Sequence, residues 1–141
     1  MNRTNRLLVG AGCVALLLIS WIIAANSESK VEKQTRLLSE AVELMDVGIY
    51  IRAVPLLEEA AALETDKTRE VEELLKEVYV KLLEQTGFSR KYTELLAKQM
   101  SRKDAPAKVY LDAAEYYLSI SRLNEALSVL STGVEKTGIR P

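Results

Sequence analysis

The chain has 141 residues, 48% hydrophobic and 6% aromatic, with 19 Lys and Arg against 20 Asp and Glu, no His and one Cys. That length accommodates one small domain and at most one special segment. Without His the commonest general base and metal ligand are missing, and a single Cys closes no internal disulfide, so metal centres, His-based catalysis and disulfide scaffolds are disfavoured from the outset.

Residues 7–25 carry no charge and follow Arg3 and Arg6 in a short tail, residues 1–6. A helix of that length rises ~28 Å, close to the ~30 Å hydrocarbon thickness of a bilayer, so the stretch reads as a transmembrane anchor. The alternative is a secretory signal, whose apolar core runs ~7–15 residues, with Ala24-Ala25-Asn26-Ser27 as its exit. Cys13 reads as a small apolar residue of this run rather than a lipid-attachment site. The positive charge clustered in the N-terminal tail keeps that tail in the cytoplasm, although Lys30, Lys33 and Arg36 nearly balance it from the other side. The expected product is a single-pass protein of the cell membrane with its remaining residues outside the cytoplasm. A linker or helix start at 26–33 follows.

Residues 26–141 hold all the acids and 17 of the bases, a net charge of −3. A nucleic-acid partner is disfavoured, because phosphate binding draws on a basic excess. Few Gly and Pro among abundant Leu, Ala, Glu and Lys predict helix throughout. In chain order, Leu37, Leu38, Ala41, Leu44 and Met45 form a first apolar stripe; Ala53, Leu57, Ala60 and Ala61 form a second after Gly48. Pro55 places the start, or a bend, of this second helix near Tyr50 to Arg52. Val71, Leu74, Leu75, Val78 and Leu82 mark a third helix, and Tyr92, Leu95, Leu96 and Met100 a fourth after Gly87. A fifth runs from about Ala107 through Ala114, Tyr117 and Leu118, and a sixth carries Leu123, Ala126, Leu127 and Leu130. Short connections make neighbours antiparallel.

Set in pairs, the helices show a repeat. Gly48-Ile49-Tyr50-Ile51-Arg52-Ala53, with Leu57 and Ala60, returns 73 residues later as Ser121-Arg122-Leu123-Asn124-Glu125-Ala126, with Leu130 and Gly133. Two units of roughly 36 residues fit that spacing, near the ~34-residue period of helix-turn-helix solenoids. On these residues the chain resembles the tetratricopeptide repeat family. Ala41, Leu44, Gly48, Tyr50, Ala53, Leu57 and Ala60 match its pattern in the first unit, and Ala114, Tyr117, Leu123, Ala126, Leu130 and Gly133 in the third. The middle unit keeps Gly87 and Leu96 but puts Tyr92 where the family has a small residue. The expectation is an all-α protein: an N-terminal transmembrane helix followed by an α-solenoid of about three units, at 34–67, 68–106 and 107–138. An unrelated six-helix bundle is the alternative.

No catalytic constellation, phosphate loop or metal set is present, so no enzyme activity, cofactor or metal is expected. The adjacent pairs Glu58-Glu59 and Glu72-Glu73 point ~100° apart on a helix and read as solvated faces. Residues 58–77 hold eight acids and three bases, whereas residues 90–108 hold six bases and two acids. These stretches either neutralise one another across the hairpins, or leave Arg90, Lys91, Lys98, Arg102 and Lys103 as a basic patch for an acidic partner or anionic lipid.

The resemblance implies a concave groove lined by each unit's first helix. By position this comprises Leu38, Val42, Met45 and Asp46 in the first unit, and Lys108, Leu111, Glu115 and Leu118 in the third. The family's Lys and Asn carboxylate clamp would fall at Leu38 and Val42 and is absent, which points to an apolar or amphipathic segment as ligand. The function expected is a non-catalytic, membrane-anchored scaffold for a protein or peptide partner. A spacer presenting a further C-terminal domain and a cytosol-facing import or assembly receptor are the alternatives. The ending at Pro141, without a polar capping helix, reads as the N-terminal part of a longer secreted repeat protein.

Overall fold

The computed structural model describes residues 28–138. Among them are six helices: α1 (Lys30–Asp46), α2 (Tyr50–Ala62), α3 (Thr68–Lys81), α4 (Phe88–Ser101), α5 (Ala107–Ser119) and α6 (Leu123–Thr137). Helices adjacent in sequence pack on one another in an all-helical, solenoid-like array.

One part of the expected architecture is corrected. Among the described residues no helix is long and apolar enough to cross a membrane, so what they form is the six-helix array alone, and the expected fold that opens with a transmembrane helix is not supported. The stretch 7–25 on which the anchor was read lies outside the described residues, as does Cys13.

Each helix arises from local chemistry. Ser29 opens α1 with a reciprocal capping box: its hydroxyl accepts from the Glu32 amide at 3.2 Å, and the Glu32 carboxylate accepts from the Ser29 amide at 2.8 Å. Helix α2 begins at Tyr50 and carries Pro55 within it. The core runs through the array from Leu37, Ala41, Ala53 and Leu57 to Val71, Val78 and Leu96, then on to Val109, Ala113 and Tyr116. Alanines that are fully buried at 41, 53 and 60 let α1 and α2 approach closely.

The repeat is visible in the backbone. Gly48 between α1 and α2 adopts φ 76°, and Ser121, 73 residues on between α5 and α6, adopts φ 60°. A left-handed conformation costs a residue with a Cβ roughly 1–2 kcal/mol, a cost glycine avoids. Ser121→Gly is therefore expected to stabilise the protein by about 1 kcal/mol, after allowance for the greater freedom of glycine in the unfolded chain, as read by urea denaturation.

Candidate binding cleft

Helices α3 and α5 are the first helices of the second and third hairpins, and between them lies a cleft of about 790 Å³. On α5 the spacing of Lys108, Asp112, Glu115 and Ser119 puts all four on one stripe facing it; on α3 Glu70, Glu73, Leu74, Glu77, Val80 and Lys81 do the same. Tyr92 from α4 and Tyr116 from α5 form its floor, their rings edge-on at 5.2 Å and 75°. This geometry is favourable for aromatic pairs. The Tyr116 hydroxyl is hydrogen-bonded to Ser89.

Ion pairs tie the walls together. Buried Lys76 on α3 donates to Asp112 Oδ2 on α5 at 2.6 Å and pairs with Glu73 at 2.9 Å, while Lys108 donates to the two Asp112 oxygens at 2.9 and 2.8 Å. Burial pushes the Asp112 carboxyl up, but hydrogen bonds from Lys108 and Lys76 outweigh it and hold the group below its usual range. Across the cleft as a whole, the carboxylates Glu70, Glu73, Glu77, Asp112 and Glu115 outnumber the ammonium groups Lys76, Lys81 and Lys108. The Tyr92 hydroxyl registers this environment: burial first, then Asp112, Glu115 and Glu73, push it up to about 12.

Behind the cleft, Glu72 is 0% exposed. Arg102 holds it from α4's C-cap with two bonds, Nη1 to Oε2 at 2.6 Å and Nη2 to Oε1 at 2.8 Å, and Lys98 adds a contact at 3.2 Å. Burial opposes the charge on Glu72, yet hydrogen bonds from Arg102 and Lys98 hold its carboxyl below the ordinary value. The solvated-face reading of Glu72-Glu73 is thus corrected for its first member: Glu73 is exposed, Glu72 is core. Buried Gln99 donates weakly to Glu72 and Glu73 at 3.4 Å.

The expected groove residues separate. Lys108 and Glu115 line the cleft. Leu111 and Leu118 stand exposed and do not line it. Leu38 and Met45 are half-buried against the core, while Val42 and Asp46 are exposed on α1. The residues proposed for a basic patch are dispersed among acids: Arg90 pairs with Glu94 at 3.7 Å, Lys91 with Glu58 at 2.6 Å, and Lys98 and Arg102 with Glu72, whereas Lys103 is exposed. Sequence reasoning missed Glu70, Glu73, Glu77, Tyr92 and Tyr116. The signal for them was Tyr92, the bulky residue in place of a small one, which fills the cleft floor.

Among the described residues no group of three or more His, Cys, Asp or Glu side chains is placed to hold a metal ion. Fold and cleft together define a helical-hairpin array with an acidic lateral groove. Comparison with protein-family models, curated proteins and solved structures gives no match.

Proposed function

We propose that the protein is a non-catalytic interaction scaffold of tetratricopeptide type that holds a peptide segment of a partner protein between α3 and α5. The observation that carries this reading is the cleft itself: two aromatic rings and Leu74, Val80 and Leu83 form an apolar lining, rimmed by an excess of carboxylates. Such a lining suits a segment that presents apolar side chains flanked by Lys or Arg, the apolar part supplying contact area and the charges its register.

Random peptides displayed on phage and selected on the full chain test this. The expected winners pair Leu, Phe or Met with flanking Lys or Arg. Glu77→Lys combined with Glu115→Lys is expected to weaken them about tenfold, equivalent to about 1.4 kcal/mol. Peptides that bind the reversed cleft equally well would remove it as the binding site.

A further inference from the structure

Both ends of the array expose apolar side chains. At the α1 end Val42 and Ile51 are exposed beside the charged Arg36, Glu40 and Glu43, and Arg36 pairs with Glu28 at 3.0 Å and with Glu40 at 3.1 Å. At the other end Leu111 and Leu118 of α5 are each 52% exposed, and Leu123 and Leu127 of α6 are 59% and 57% exposed. On each helix the two leucines recur at a spacing of four or seven, which makes them a stripe rather than scattered surface residues.

The internal repeat shows what such a stripe is shaped to meet. At the 73-residue spacing these four leucines correspond to Leu38, Met45, Tyr50 and Val54 in the first hairpin. There Val54 is only 5% exposed and the other three are half-buried. For the pair on α2, Tyr50 and Val54, there is a cover: α3 packs on α2, and Val71, Leu75 and Val78 of α3, with Leu82 just after it, are all buried. The chain therefore contains, in its α2–α3 contact, a template for the occupant of the equivalent α5–α6 face.

We propose that the face formed by Leu111, Leu118, Leu123 and Leu127 docks an amphipathic helix of a partner protein whose Val/Leu stripe repeats at the spacing of residues 71, 75, 78 and 82. A second copy of this chain meets that requirement poorly. Its own α3 stripe is buried within its fold and is not free to dock on another molecule. This site is separate from the α3–α5 cleft and does not depend on it.

The probe is a fluorescein-labelled peptide of residues 67–84, constrained as a helix by a lactam on its polar face because so short a helix is marginal alone. Titrated with the full chain, it is expected to bind saturably. Leu118→Glu with Leu127→Glu should weaken binding at least tenfold, as should Val71→Glu with Leu75→Glu in the peptide. Glu77→Lys in the cleft should leave it unchanged. Both leucines are exposed, so the variant chain is expected to keep its circular dichroism spectrum and melting temperature, which separates lost docking from lost folding. Absence of saturable binding to the natively folded chain, or binding that survives L118E/L127E, overturns the proposal. Sedimentation showing a dimer that L118E/L127E abolishes would assign the face to a second copy and overturn it too.

Discussion

Arg102→Ala is expected to cost about 3 kcal/mol of stability, because it strands a fully buried carboxylate in the core. That figure lies at the low end for breaking a buried pair, since Lys98 still reaches Glu72 at 3.2 Å. The pH dependence distinguishes this cause from simple loss of packing. In the parent the Glu72 carboxyl sits below its ordinary 4.5, so its contribution is complete above that pH and drains as pH falls through the depressed value. In the variant the opposing hydrogen bonds of Arg102 are gone and burial pushes the same carboxyl up. Protonation then relieves the buried charge, so the variant gains on the parent as the medium is acidified. Urea denaturation at pH 7 and pH 4 should show a gap that narrows at the lower pH; a gap that widens would contradict the argument. Replacing both residues, as Glu72→Met with Arg102→Met, should recover most of the loss, because no charge is left buried.

Gly133→Leu is expected to be comparably damaging, by about 3 kcal/mol, through the backbone approach of α5 and α6. A Cβ at position 133 would lie 2.8 Å from Tyr110 Cβ and 2.9 Å from its Cγ. The Cβ of Tyr110 is fixed by its own backbone and cannot swing aside, so the helices themselves must part. Even Gly133→Ala should lose ~1 kcal/mol net, although alanine gains about that much in intrinsic helix preference. Thermal melts of the two variants decide the matter. An alanine variant more stable than the parent would mean that helix preference, not the close approach, governs this position.

These two sites differ in how legible they were. Gly133 was legible as a position of the repeat, because it matches the small Ala60 at the 73-residue spacing. Glu72 was not. Its neighbour Glu73 has the same chemistry and half-faces water, and nothing local distinguishes the two. Only the arrival of Arg102, 30 residues away, makes one of them a core residue.

The same division runs through the cleft. Lys108 and Glu115 could be placed on a concave face from helical spacing alone, since residues three and four apart share a face whatever surrounds them. Leu111 and Leu118 were assigned to that face as well, and they stay exposed beside the cleft without lining it. The hydrophobic stripe of α5 is broad enough to serve α4, α6 and the exposed side at once, and its pattern does not say which neighbour takes which part. The acid-rich stretch 58–77 and the base-rich stretch 90–108 likewise permitted either a patch or mutual neutralisation. Contacts such as Lys91 to Glu58 at 2.6 Å, between helices distant in sequence, tie them together.

The sequence by itself determined that residues from about 34 to 138 form six helices with a 73-residue repeat, because helix formation rests on short-range periodicity, caps and turn residues. The tertiary structure alone decided that Tyr92 and Tyr116 meet under an acidic cleft, that Glu72 is buried under Arg102, and that Leu111, Leu118, Leu123 and Leu127 stay exposed. Those features depend on the angles and offsets at which helices pack, and packing couples residues some 25 to 40 positions apart that no local pattern connects.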